Sequence, residues 1–143
     1  MAITTRILRS PDRNLLANVA EGVFDDPLLP AATDTFLADD RHHLAVAIDD
    51  GVVVGFASAV HYVHPDKPRP ELWINEVGVA PSRQGRGVGK AILAQLLELA
   101  GELDCAEAWV LTSRQNTPAM RLYASAGGEE GPDGDVLFTF RLP

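Results

Sequence analysis

Cysteine is almost missing from this chain. Of its 143 residues only Cys105 is a cysteine, which excludes an internal disulfide, and no Cys/His cluster has zinc spacing. No uninterrupted apolar run reaches the roughly 18 residues of a membrane helix, and no charged-then-apolar segment opens the chain. Neither secretion nor membrane insertion is indicated, so a cytoplasmic protein is expected. Positive charge is also scarce. Lys and Arg number 12 against 20 Asp and Glu, giving −8 and a pI of about 4.8. That balance argues against nucleic acid and towards a neutral or cationic partner, although the same charge also serves solubility. There is no internal repeat, linker or low-complexity stretch.

What is present is ordinary globular material: 46% hydrophobic and 22% charged residues, enough to bury a core in one domain spanning 1–143. Residues 3–9 read as a strand. Ser10-Pro11-Asp12 then signals a helix start, with Ser10 as N-cap and the helix reaching about Gly22. After Phe24-Asp25-Asp26-Pro27 breaks the periodicity, residues 33–39 suggest a second short helix. Two β-branched, alternating runs, 44–48 and 52–62, flank Asp49-Asp50-Gly51 and predict a hairpin. Pro65, Pro68 and Pro70 stiffen the loop that follows.

Residues 71–79 form the expected central strand. Strict alternation puts Leu72, Ile74, Glu76 and Gly78 on one face and Trp73, Asn75, Val77 and Val79 on the other. Glu76 is then a carboxylate on an otherwise apolar face, and buried carboxylates are rare. Apolar positions 88, 92, 96 and 99, widened by 93, 97, 100 and 103, predict a helix packed on the sheet. A strand over 107–112, a helix over 116–126 stopped by Gly127-Gly128, and a last strand over 136–142 complete the reading. The class is α/β with a mixed sheet.

Between strand and helix lies QGRGVG. Glycines at 85, 87 and 89 remove side chains where backbone amides converge before the positive end of a helix, which makes an anion cradle. Arg83, Arg86 and Lys90 add positive charge and favour phosphate or pyrophosphate. Spacing excludes two familiar phosphate loops. The dinucleotide fingerprint needs G-x-G-x-x-G where this reads G-R-G-V-G, and a P-loop needs Gly at 84 and Ser or Thr at 91, where Gln and Ala stand.

The loop resembles the Gln/Arg-x-x-Gly-x-Gly/Ala signature of the GNAT N-acetyltransferases, through Gln84, Gly87 and Gly89, in the family's setting of apolar strand before and amphipathic helix after. The resemblance covers most of the chain, and YVHPDKPRPELWINEVGVAPSRQGRGVGKAIL with the short tail looks most like the aminoglycoside 3-N-acetyltransferases. It implies the GNAT fold, a central mixed sheet flanked by about four helices, and acetyl-CoA as donor. The pyrophosphate of coenzyme A would meet the amides of 84–89, Val88 among them. Its pantetheine would run along Val77, Gly78 and Val79, where this strand splays from its neighbour. Gly78 suits such a close backbone approach, and the N–H of Val77 or Val79 would serve as oxyanion donor. Asn116 would contact the cofactor arm and Ala119 would line its channel.

Glu76 is the expected general base, its apolar surroundings raising its pKa towards neutrality; a structural hydrogen-bond network is the alternative. The similar aminoglycoside enzymes carry Asp at that place. Tyr123, in Leu-Tyr-x-x-x-Gly, resembles the tyrosine that protonates the coenzyme A thiolate, although Gly128 replaces the family's Phe; a core tyrosine with a satisfied hydroxyl is the other reading. Asp25, Asp26, Glu129 and Glu130 are candidates for holding substrate amines, with solvated turn carboxylates as the plainer account. Cys105 reads as an inert, small hydrophobe. His61, His64 and Tyr62 could edge the acceptor site, and His42 and His43 give no metal spacing. Alternatives are the same chemistry on a polyamine, amino sugar or protein amine, or a coenzyme A sensor without catalysis. Such domains frequently pair, which keeps a homodimer open.

Overall fold

The computed structural model describes residues 3–132 and 134–143. Five strands form one sheet in the order β1-β2-β3-β4-β5: β1 Thr4–Leu8, β2 His42–Asp49, β3 Val52–Tyr62, β4 Glu71–Val79 and β5 Glu107–Val110. The first four are antiparallel neighbours and β5 joins β4 in parallel. Four helical segments of at least eight residues flank the sheet: a 3-10 helix at Ser10–Ala17, α1 at Pro30–Ala38, α2 at Val88–Glu102 and α3 at Thr117–Ser125. This is the expected mixed α/β architecture.

Local chemistry accounts for the turns. Asp50 and Gly51 both have positive φ, 49° and 77°, the geometry a two-residue hairpin loop requires. The 3-10 helix is shorter than the sequence suggests, and its N-cap is Arg9 rather than Ser10. It stops because the backbone beyond is recruited by the sheet: Val53 N–H donates to Asn18 O at 2.8 Å and Ala20 N–H to Val53 O at 2.9 Å.

Two apolar layers sandwich the sheet. On one face Val88, Ile92, Leu93, Leu96 and Leu99 of α2 bury against Ala45, Ala57, Ala59, Leu72 and Ile74; each such side chain removed from water contributes about 2 kcal/mol. On the other face Leu8, Leu16, Val46, Val53 and Phe56 form the second layer beneath the 3-10 helix and α1.

Two expectations fail. Residues 136–142 do not close the sheet; Val136, Leu137, Phe138, Phe140 and Leu142 are exposed and the segment forms no strand. Strand composition is a preference for a pleated, half-buried surface, and without a partner ladder it specifies nothing. The alternation of β4 is also broken. Ser58 pairs with Glu76 and Ala59 with Ile74, so Asn75 is an extra, bulged residue. A bulge shifts side-chain parity beyond it. Val77 and Val79 therefore join Leu72 and Ile74 against the α2 layer, while Glu76 and Gly78 pass to the face of Trp73.

Candidate active site

β4 outlasts its partner. Pairing with β5 ends at Ile74 and Val110, and beyond that the two strands open into a cleft of about 780 Å³. Its walls are Val77 and Val79 of β4, Leu111 and Thr112 after β5, the glycine loop, and Asn116, Ala119, Leu122 and Tyr123 from α3 and its cap. Of the expected donor-binding residues, Arg83, Gln84, Gly85, Gly87, Val88, Gly89 and Lys90 also line it, whereas Gly78 and Arg86 do not.

The loop's geometry explains its composition. Gly85 and Gly87 hold φ of 76° and 78° with open space where a side chain would be, so backbone conformation alone demands glycine there. Gly87 caps α2, and the first helical hydrogen bond runs from Ala91 N–H to Gly87 O at 3.0 Å. The amides of Val88, Gly89 and Lys90 thus lack a partner within the helix and carry its positive end. Gln84 Nε2 donates to Val79 O at 3.1 Å, tying the loop to the end of β4.

Arg83 corrects the sequence reading. Its Nε and Nη2 donate to Oδ2 of Asp49 at 3.2 and 3.0 Å, and Asp49 is buried at the end of β2. The charge expected to serve an incoming phosphate is already committed. Arg121, which the sequence analysis did not single out, lines the cleft, as does Lys90.

Orientation of the β4 amides follows from alternation. Ala80 N–H donates to Val54 O of β3 at 2.9 Å, so the N–H groups of Val79 and Val77, one and three residues earlier, point to the side that β5 has left open. Asn116 has a structural duty as well, its Oδ1 accepting from Ala119 N–H at 3.2 Å to cap α3. Tyr123 is half-buried, and burial alone raises its pKa above the ordinary phenol value.

On the opposite face of β4 a second cleft, about 340 Å³, is lined by Gly22, Val23, Asp25, Phe56, Glu76, Gly78 and the edges of Val77, Val79 and Gln84. Glu76 is exposed here rather than enclosed by apolar side chains, so the buried carboxylate expected from strict alternation is not what the fold provides. Gly78 serves this side. A Cβ on it would lie 2.2 Å from Val23 O and 2.7 Å from the ring of Phe56, so its bareness admits the crossing loop rather than a ligand on the α2 face. Asp25 joins Glu76 in the cleft. Asp26, Glu129 and Glu130 do not line it, and Glu130 pairs at 2.8 Å with Arg114 on the exposed surface. Gly22, Val23 and Phe56 were missed because only the folded chain brings them to β4.

Other residues fall outside both clefts. Cys105 is buried, and burial raises its thiol pKa. His43 is buried at the far end of the sheet, its Nε2 2.7 Å from Nδ1 of His61; desolvation first, then the neighbouring His61 and Arg9, lower its pKa to about 4. Among the described residues no group of three or more His, Cys, Asp or Glu could hold a metal ion, and no helix is long and apolar enough to cross a membrane.

The model of the acetyltransferase (GNAT) family matches residues 11–127. The N-alpha-acetyltransferase RimI of Mycobacterium tuberculosis is 31% identical over 87% of this chain and 77% of its own length. An aminoglycoside N(6')-acetyltransferase type 1 of Salmonella typhimurium is 32% identical over 82% and 83%. Among solved structures, the aminoglycoside N-acetyltransferase AAC(6')-Iy in complex with CoA superposes with a TM-score of 0.75 at 27% identity, over 98% of this chain and 95% of that one. The aminoglycoside enzymes among these carry the 6' position in their names, not the 3-amino position expected from the sequence.

Proposed function

The chain belongs to the acetyltransferase (GNAT) family and is an N-acetyltransferase using acetyl-CoA; from that premise we propose that its acceptor is an amine of a cationic small molecule, foremost an aminoglycoside, acetylated directly in a ternary complex. The observation that carries this reading is the pair of clefts on opposite faces of β4, which share Val77, Val79 and Gln84. One side offers amides at a helix start and the other offers carboxylates, and the gap left by β5 joins them.

The residues fit a bound acetyl-CoA: the loop amides suit a pyrophosphate, and Gly85 and Gly87, with open space where a Cβ would stand, leave the approach to them clear. The thioester supplies an activated acetyl group. In the proposed mechanism the open-side amide of Val77 or Val79 stabilises negative charge developing on the carbonyl oxygen, a contribution of about 10²–10³ in rate for one donor. Glu76 takes a proton from the acceptor ammonium, directly or through water, freeing the nitrogen lone pair that would form the new bond to the acetyl carbon as the thiolate leaves, and holding amine and thioester together supplies much of the acceleration. Tyr123, kept protonated by burial, returns a proton to the leaving thiolate from the donor side. Asp25 and the overall charge of −8 attract the cation.

Kinship with RimI favours a second acceptor class, a protein N-terminal amine. Thiol release from acetyl-CoA in the presence of an aminoglycoside, spermidine, an amino sugar and an alanine-ended peptide, at two salt concentrations, separates these readings. Salt-sensitive turnover of the aminoglycoside supports the proposal, and the acetylated position then distinguishes the 3-amino group from the 6' amine. Turnover confined to the peptide overturns it.

A further inference from the structure

On the face of β4 that carries Glu76, three residues earlier in the strand, stands an aromatic platform. Trp73 and Trp109 are register partners on β4 and β5, and their rings stack at 5.0 Å between centroids and 9° between planes. Trp73 is 38% exposed, a large apolar surface left facing solvent, while the 3-10 helix and α1 pack mainly on β1 to β3.

The platform is held from behind. Trp109 Nε1 donates to Tyr62 Oη at 2.8 Å, and Tyr62 Oη donates to Glu71 Oε1 at 3.3 Å. His64 Nε2 lies 2.6 Å from Glu71 Oε2. Three side chains, from β3, the loop after it and β4, therefore fix one indole, an arrangement that a merely accommodated surface tryptophan does not need. Both Glu71 oxygens are taken up by Tyr62 and His64, so the carboxylate open to a ligand on this face is Glu76 at the second cleft.

We propose that the Trp73–Trp109 pair is the acceptor subsite for a saturated ring carrying more than one ammonium group, an aminocyclitol or amino sugar rather than a linear polyamine. This inference rests on the cationic-amine reading above and narrows it. A flat indole matches the C–H face of a six-membered ring and attracts ammonium groups set around it. With the ring seated on the platform, the ammonium group that reaches along the strand towards the second cleft is the one presented to Glu76. A flexible linear polyamine offers the platform no rigid face and loses more freedom on binding.

The test uses the full chain and a convenient property: Trp73 and Trp109 are its only tryptophans, so intrinsic fluorescence reports the platform alone. Titration with a gentamicin-type aminoglycoside should change the emission saturably, whereas spermidine at equal ionic strength should not. Trp73→Ala should weaken aminoglycoside binding and raise its KM about tenfold, leaving the KM for acetyl-CoA within about twofold, and Trp73→Phe should recover part of the loss. Calorimetry on the phenylalanine variant covers the case in which the alanine variant does not fold. If the aminoglycoside is acetylated while emission and the variants' KM stay unchanged, the platform assignment is wrong and the acceptor reading survives. If the aminoglycoside is neither bound nor acetylated, both fall. Emission that follows protein concentration instead of amine concentration assigns the platform to self-association and overturns the proposal.

Discussion

The two faces of β4 are built on different plans. The donor face is centred on one contiguous piece of chain, strand, glycine loop and helix start, walled by the exit of β5 and by α3, and the groups that converge at the helix start are main-chain amides. The acceptor face gathers side chains from the 3-10 helix's exit, β3, β4 and β5. The glycines show the contrast. Gly87 is needed for a positive φ with nothing nearby, whereas Gly78 is needed because Val23 O and Phe56 crowd it. A main-chain site tolerates side-chain change and depends on backbone conformation; a side-chain site depends on packing between distant segments.

The strongest challenge to that contrast is Gly78→Ala. Its Cβ would meet a backbone oxygen that cannot rotate away, so a loss of about 3 kcal/mol in unfolding free energy is expected, read by thermal or denaturant melting. A neutral result would mean that the acceptor face is loosely assembled after all.

Next comes Glu76→Gln, expected to lower kcat about 100-fold while the KM for acetyl-CoA holds. Unchanged turnover at neutral pH would remove Glu76 from the base role.

Tyr123→Phe should cost about tenfold in kcat with both KM values little changed. Because burial raises the Tyr123 pKa, the phenol stays protonated below its ordinary value near 10, and the wild-type rate should fall only above that pH as the proton is lost. Rate profiles of the two proteins should part on that alkaline limb; identical limbs would assign it to another group.

The smallest effect belongs to the donor face. Gly87→Ala forces a side chain into the left-handed region for about 1 kcal/mol, and should appear as a few-fold rise in the KM for acetyl-CoA with stability nearly kept. A loss as large as that of Gly78→Ala would erase the distinction between the two plans.

The same contrast sets what the sequence reveals. QGRGVG, the strand before it and the apolar stripe of α2 were legible because their physics is local: glycine for φ, period 3.6 for the buried face. The β4 and α2 limits follow the periodicity closely. Glu76 was found by position and misplaced by face, since the Asn75 bulge is decided by pairing with Ser58 and Ala59. Arg83 was read as a phosphate partner because Asp49, 34 residues earlier, gives no local sign of meeting it. Residues 136–142 have the composition of a strand, but a strand is completed by its neighbour. Trp73 was placed on the sheet by alternation, yet its stack on Trp109 comes from parallel register that no short-range pattern encodes.

The bulge at Asn75 also makes strand pairing a determinant of chemistry. Deleting Asn75 would leave Leu72, Ile74, Val77 and Val79 against α2 and Glu76 on the other face, because the residue removed is the one without a partner on β3. Flattening the bulge with every residue kept would instead restore strict alternation from Leu72 to Val79, turning Glu76 inward against α2 and Val77 out to the cation's side. Variation in this family of sites should therefore tolerate a changed or a missing letter at this position better than a neighbour on β3 that draws Asn75 into the ladder.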